Sequence, residues 1–195
     1  VYGCLGIPPE AVLTYTEENI QFLEKHLKEA KIIALGEIGL DYHYGKENKM
    51  EQIALFKKQL ALASKYHMPV VIHSREATED TINLLKQYPD VKGVIHSFSG
   101  SLEVAKIYIK LGYKLGINGV VTFKNSHLKD HLWEIKEHIV LETDSPYLTP
   151  HPYRGTRNEP GYILEIAQFV SEILGISLQD LAKITKQNIE EIFDI

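Results

Sequence analysis

Four residues of metal-binding types, Glu37, His73, His96 and Asp144, each close a short apolar run of the sequence. These runs, KIIALGE, PVVIH, VKGVIH and HIVLETD, are typical of buried β-strands. The carboxyl ends of parallel strands lie at the same edge of a sheet, where barrel enzymes carry their chemistry. The intervals along the sequence from Glu37 to His73, from His73 to His96 and from His96 to Asp144 correspond to about one, one and two strand-plus-helix units. We therefore expect the four side chains to share one site.

Each of these residues also has a simpler interpretation. A carboxylate at the end of a buried strand, such as Glu37, is costly unless it is paired or bound to metal, so a structural salt bridge is the alternative. A single buried histidine is more often hydrogen-bonded in the core than bound to metal. Asp144 precedes Ser145 and Pro146 and is equally suited to cap a turn. Two histidines in equivalent positions favour the metal site.

Three arginines lie close to these residues in the sequence. Arg75 follows His73 by two residues, and Arg154 and Arg157 lie in a loop, residues 149–160, that contains three prolines. The guanidinium group is a forked donor that suits phosphate or carboxylate, although solvation at the surface is the commoner role of an arginine. His151 lies in the same loop, close enough to contact a substrate. We expect the stiff loop to hold its arginines over the site.

The elements that must position these residues alternate regularly. The pattern predicts strands at residues 2–7, 32–37, 70–73, 91–96, 113–117 and 139–143. It predicts helices at residues 16–30, 50–66, 77–87, 102–111, 126–136, 162–174 and 178–193, with Thr16 and Ser177 as caps. Such a chain forms either an open doubly wound sheet or a (β/α)8 TIM-type barrel. Residues of metal-binding types at the ends of four strands favour the barrel. A complete barrel has eight strands, so about two N-terminal βα units would be missing before Val1.

The composition predicts one soluble domain, residues 1–195, of 44% hydrophobic and 24% charged residues. The single Cys4 excludes an intramolecular disulfide framework, and no apolar run reaches the ~18 residues of a membrane span. The beginning of the sequence lacks signal-peptide features, so we expect a cytoplasmic protein. The net charge of −5 gives no basic footprint for nucleic acid. A phosphate partner would depend on metal ions and a few local arginines.

The motifs GEIGLDYH, VIHSR, HSFSG, TFKN, LETDSPYL and PYRGTRNEP, in this order, resemble the TatD family of metal-dependent hydrolases, whose characterised members are deoxyribonucleases. The resemblance covers nearly the whole chain. It implies that Glu37 bridges two divalent ions, that His73 and His96 complete one ion's site, and that Asp144 serves the other. The family's HxH pair has no counterpart here, and residues 6–11 read GIPPEA where the family has a GxHPH-like stretch.

The resemblance implies two-metal hydrolysis of phosphodiester bonds, with DNA as substrate and no membrane or protein partner. Glu37 and Asp144 would be catalytic, Asp144 as the acceptor of the water proton, while Arg75, Arg154 and Arg157 would bind phosphate oxygens. Mixed imidazole and carboxylate ligands suit Zn²⁺, Mn²⁺ or Mg²⁺. Two alternatives remain open. One is an amidohydrolase acting on an amide, ester or cyclic base, and the other is an inactive, truncated metal-binding barrel.

Overall fold

Strands and helices alternate along the chain, as the sequence pattern predicts. The structure is a computed structural model, and it describes residues 1–43 and 45–195. Contacts between residues divide it into two compact units, Val1–Ile95 and His96–Ile195, which are considered separately below. The prediction of one domain stays a prediction.

The first unit is a parallel sheet with helical crossovers. Its elements are β1 (Gly3–Leu5), α1 (Glu17–His26), β2 (Ile32–Asp41), α2 (Lys49–Tyr66), β3 (Val70–Arg75), α3 (Thr78–Leu85) and β4 (Gly93–Ile95). Neighbouring strands pair in sequence order, β1 with β2, β2 with β3 and β3 with β4, all parallel. Leu35, Ile38, Phe56, Leu60 and Ile72 are fully buried and form the centre of its core. Burial of apolar side chains on the strands and on α2 therefore holds the sheet that positions Glu37 and His73.

The second unit repeats the alternation of strands and helices. Its elements are α4 (Leu102–Lys110), β5 (Tyr113–Ile117), α5 (Leu132–Ile135), β6 (Ile139–Leu141), α6 (Ile163–Leu174) and α7 (Leu178–Phe193). Strand β5 pairs with β6 in parallel. The prediction that Ser177 caps the last helix is confirmed, since its hydroxyl oxygen accepts a hydrogen bond from the Asp180 N–H at 3.1 Å. Thr16 is likewise the N-cap residue of α1.

Several predicted elements are wrong in extent. The strand predicted at residues 2–7 covers only Gly3–Leu5, because the side chain of Gln59 bonds both the N–H and the carbonyl of Ile7, at 2.8 and 2.9 Å. The helix predicted at residues 126–136 is instead a short α5 flanked by 3₁₀ turns at Leu128–His131 and Lys136–His138. Aspartate and histidine within that segment are weak helix formers, so apolar spacing alone overstated its regularity.

Over the described ranges, no single helix is long and apolar enough to cross a bilayer. One bent pair of helices, Pro160–Leu174 and Leu178–Phe193 at 107°, passes such a test together by length and composition.

Candidate functional site

His73 lies between two carboxylates of the neighbouring strand. On β3 it is in register with Gly39 of β2, and Glu37 and Asp41 lie two residues to either side of that glycine. The imidazole Nδ1 is 2.6 Å from Glu37 Oε1, and Nε2 is 3.0 Å from Asp41 Oδ2. Alternate residues of a strand share one face, which brings both carboxylates to the same side of β2. The first unit thus contains a carboxylate–imidazole–carboxylate cluster.

Glycine makes this close pairing of β2 and β3 possible. Gly39 has a φ of +147°, and a Cβ built on it would lie 1.9 Å from the carbonyl oxygen of His73. A Cβ on Gly36 would lie 2.7 Å from the Val71 Cβ. A side chain at either position would push the strands apart. These two glycines therefore allow the backbone of β3 to approach β2 closely.

The prediction that Glu37 ends its strand is wrong, because β2 continues for four residues to Asp41. The reason is the alternation beyond Glu37. Ile38 and Leu40 are fully buried on one face, while Glu37, Gly39 and Asp41 occupy the other. Strand β3 likewise continues past His73 to Arg75. His73 therefore lies in the paired part of β3, whereas Glu37 lies within β2 at the register shift between Leu35 and Ile38.

Asp41 was not among the predicted site residues, although it belongs to the motif GEIGLDYH. Its side chain is only 6% exposed, against 38% for Glu37. Asp41 Oδ1 accepts a hydrogen bond from the His43 N–H at 2.8 Å, and the buried Gln52 side chain bonds both the N–H and the carbonyl of Asp41. The period-2 spacing from Glu37 was the signal that could have identified it.

The electrostatics of this cluster favour a cation. Burial opposes protonation of His73, but the hydrogen bonds and charges of Glu37 and Asp41 outweigh burial and raise the pKa of its imidazole. A site that stabilises positive charge on a ring between two carboxylates also attracts a divalent cation. Ligand atoms of Glu10, Asp41 and His73 lie within 4.8 Å of one another, a second way in which this unit could hold an ion.

The carboxylates of Glu37 and Asp41 differ in how accessible they are. A neutral imidazole carries a proton on one ring nitrogen and a lone pair on the other, so only one of its two nitrogens can bind a metal. Asp41 is already bonded to the His43 N–H and is buried, whereas the side chain of Glu37 is more accessible. Buried carboxylates that accept the N–H of a metal-binding histidine are common in metalloproteins. The Nδ1 side of the ring, beside Glu37, therefore has the more accessible carboxylate of the two.

A second cluster of the same kind is built on His96. His96, predicted as the last residue of its strand, instead directly follows β4, and its Nδ1 lies 2.9 Å from Glu142 Oε2. Its Nε2 lies 3.2 Å from Asp144 Oδ1. Glu142 Oε1 also accepts a hydrogen bond from the Ser97 N–H at 2.6 Å. Glu142, which follows β6 in the motif LETDSPYL, was not predicted as a site residue.

The backbone around the second cluster adopts unusual conformations. Ser97 and Asp144 have φ angles of 50° and 59°, in the left-handed region. Such residues cost free energy and cluster at functional sites, where the surrounding structure holds them. Gly116 of β5 leaves room for the cluster, since a Cβ there would lie 2.7 Å from the carboxylate of Glu142. The buried Asn118 donates a hydrogen bond to Ser97 Oγ at 2.7 Å.

The three predicted arginines lie in different surroundings. Arg75 is exposed at the end of β3, in register with Asp41. Arg154 lies with its guanidinium carbon 3.8 Å from the ring centroid of Phe123, at a hollow of about 380 Å³. Arg157 lines another hollow, of about 420 Å³, with Ser145, Pro146, Asn158, Glu159 and Pro160. Arg154 and Arg157 therefore do not share one binding position.

The structure brings Glu37 together with His73, and His96 together with Asp144. A single site common to all four residues stays a prediction, as do the roles of the three arginines.

Comparison with known proteins identifies the family. The family model described as TatD related DNase matches residues 1–194. The chain is 39% identical over 199 residues to the metal-dependent hydrolase YabD of Bacillus subtilis, a match that covers 100% of this chain and 78% of that protein.

Solved structures agree. The TatD homologue YjjV of Escherichia coli superposes with a TM-score of 0.94 at 29% identity, over 100% of this chain and 77% of that one. A TatD family hydrolase of Entamoeba histolytica gives a TM-score of 0.86 at 26% identity, over 98% and 74%. These matches confirm the predicted α/β fold class of the TatD barrel and the predicted resemblance. The chain belongs to the TatD family and is a metal-dependent hydrolase.

Proposed function

We propose that this metal-dependent hydrolase is a deoxyribonuclease that cleaves phosphodiester bonds by a two-metal mechanism. The observation that carries the proposal is the pair of histidine–carboxylate clusters, one of which is followed in the chain by a loop with two arginines. Carboxylate and imidazole ligands bind divalent cations, and arginines bind the anion that such cations hold. The family description as DNases supports the same substrate class.

The donor set fits divalent ions. Glu37 with His73, and His96 with Asp144, place an oxygen and a nitrogen at 2.6 and 3.2 Å from each other. In each cluster the other ring nitrogen meets a further carboxylate, Asp41 or Glu142. We propose Glu37, His73, His96 and Asp144 as ligands for Zn²⁺, Mn²⁺ or Mg²⁺. When bound, such ions lower the pKa of a water molecule and neutralise phosphate charge.

Asp41 and Glu142 would set the proton positions of the two imidazoles. If the Nε2–H of His73 is donated to Asp41, the Nδ1 lone pair is directed towards Glu37. If the Nδ1–H of His96 is donated to Glu142, the Nε2 lone pair is directed towards Asp144. The two carboxylates would thus hold opposite tautomers, each with its free lone pair on the side of the proposed ligand.

Asp144 and the arginines would carry the remaining chemistry. The side chain of Asp144 is 28% exposed, so it can meet a water molecule and accept its proton. Arg157 and Asn158 lie in the hollow that begins at Ser145, next to Asp144 in the chain, where the guanidinium group could bind oxygens of the scissile phosphate. Arg75, at the exposed end of β3, is the third candidate for phosphate.

The experiment is a substrate panel on protein stripped of metal and then supplied with Zn²⁺, Mn²⁺ or Mg²⁺ in turn. We expect hydrolysis of DNA oligonucleotides that a chelator abolishes and that the metal restores. Amides, esters and cyclic bases, the substrates of the amidohydrolase alternative, should be hydrolysed much more slowly. Preference for a neutral amide over DNA would overturn the proposal. Absence of any hydrolysis with all three metals would favour the inactive barrel.

A further inference from the structure

Arg154 and Arg157 line separate hollows, although they lie three residues apart in one loop. The hollow of Arg154 is lined by Thr122, Phe123, Lys124, Asn125, His151 and Arg154, and no carboxylate is among these described residues. The chain as a whole carries a net charge of −5. The lining of this hollow has the opposite sign of charge, because it includes Lys124 and Arg154 and no acidic residue. Such a surface attracts an anion.

The donors of this hollow are held in place. The guanidinium group of Arg154 stacks over Phe123 at 3.8 Å, and this contact leaves its N–H edge available to an anion. The hydroxyl of Thr122 accepts a hydrogen bond from the backbone N–H of His151 at 2.8 Å and donates one to the Gly119 carbonyl at 2.7 Å. These hydrogen bonds link the turn Gly119–Thr122 to the loop at residues 149–160. The link reduces the conformational entropy that the protein loses when it binds an anion.

The same turn is connected to the His96 cluster. Asn118 donates to Ser97 Oγ, and its side-chain oxygen accepts a hydrogen bond from the Val120 N–H at 3.1 Å. A Cβ at Gly119 would lie 2.1 Å from the carbonyl oxygen of Leu148, so the turn packs closely on the loop that follows Asp144. The hollow thus has a fixed place relative to the cluster without belonging to it.

We propose that Lys124, His151 and Arg154 form a subsite for a second phosphate of a polynucleotide, separate from the scissile phosphate near Arg157. This inference rests on the proposed function and adds to it a second position at which the enzyme contacts the DNA backbone. A side-chain ammonium, an imidazole N–H and a guanidinium group together offer donors to several oxygens of one phosphate. Small phosphodiesters have no group to place there.

The first test compares two substrates with Lys124→Ala, Arg154→Ala and the control Lys106→Ala, an exposed lysine on α4. The substrates are an eight-residue oligothymidylate and bis(p-nitrophenyl) phosphate. We expect the ratio of kcat/KM for the oligonucleotide to that for the small diester to fall by about 10-fold or more in the first two variants, as when a charged hydrogen bond is lost. The control should keep the wild-type ratio. Equal losses on both substrates would place the hollow at the scissile phosphate and overturn the proposal, as would an unchanged ratio.

The second test needs no hydrolysis. Binding of a fluorescent oligothymidylate to the chelator-treated protein is followed by anisotropy at several salt concentrations. Each lost phosphate contact should reduce the slope of log affinity against log salt by about 0.7. If the wild-type protein hydrolyses neither substrate but the slope falls in Lys124→Ala, the deoxyribonuclease proposal fails while the subsite stands. If the slope is unchanged in both variants, the subsite is wrong whatever the activity.

Discussion

His73 and His96 are each held between two carboxylates, but they use their ring nitrogens in opposite order. His73 directs Nδ1 to the more exposed Glu37 and Nε2 to the buried Asp41. His96 directs Nε2 to Asp144 and Nδ1 to Glu142. The reason is position. His73 lies within a strand whose neighbour supplies both acids, whereas His96 follows its strand and meets a segment that has already left β6.

The two clusters also differ in how clearly burial separates the roles of their acids. In the first, the side chains are 38% and 6% exposed, and in the second 28% and 20%. Asp41 is anchored by Gln52 and the His43 N–H, while Glu142 depends on the Ser97 N–H and on the space beside Gly116. We infer that the division between ligand and orienting carboxylate is stricter at His73. Five substitutions test this comparison.

The largest effect is expected from Glu37→Gln, which removes the proposed bridging charge and conserves shape. Hydrolysis with saturating Mn²⁺ should fall below detection, and fewer metal equivalents should bind, while thermal unfolding changes little. Glu51→Gln, which removes the same charge from an exposed position on α2, is the control and should behave as wild type. Unchanged turnover in Glu37→Gln would contradict the bridging role. A loss of metal in Glu10→Gln instead would assign the ion to the group of Glu10 and Asp41.

Asp144→Asn tests the proposed proton acceptor in the second cluster. An amide cannot accept the proton of the attacking water, so kcat should fall by about 100- to 10,000-fold. Asp130→Asn, at a side chain that is 58% exposed, is the control for loss of one charge in the same unit. Turnover within a few-fold of wild type would return Asp144 to the turn-capping role that its sequence position also permits.

Asp41→Asn and Glu142→Gln compare the two orienting acids directly. Each should weaken metal affinity by about 10- to 100-fold, the range for a group that orients a metal-binding histidine. The loss of affinity should be greater for Asp41→Asn, because burial separates the ligand from the orienting carboxylate more strictly in the His73 cluster. Calorimetric titration with Zn²⁺ measures the affinity, and ¹⁵N chemical shifts of the metal-free histidines report whether the tautomers change. Equal affinities with unchanged tautomers would make both acids structural only.

Gly116→Ala should have the smallest effect. The new Cβ would lie 2.7 Å from the Glu142 carboxylate, which must move and weaken its bonds to His96 and the Ser97 N–H. We expect about a 10-fold loss of metal affinity, at the lower end for disturbance of an orienting group. Gly161→Ala is the matched control, since among the described residues, apart from its chain neighbours, no atom lies within 4 Å of a Cβ at that position. The same behaviour in both variants would show that Glu142 tolerates displacement.

The sequence by itself determined the fold class, the alternation of elements and the family. Apolar runs that end in Glu37, His73, His96 and Asp144 indicate strands and their order, because burial and side-chain period are properties of local sequence. The pairing of Glu37 with His73 and of His96 with Asp144 agrees with that pattern.

Only the tertiary structure decided the partners of each imidazole. Asp41 and Glu142 stand within the recognised motifs, yet their bonds to His73 and His96 depend on register between strands that are distant in sequence and on the missing side chains of Gly39 and Gly116. The separation of Arg154 from Arg157 likewise follows from the stacking on Phe123 and the bond between Thr122 and His151. Hydrogen bonds require distances near 3 Å and defined angles, which residue spacing along a chain does not specify.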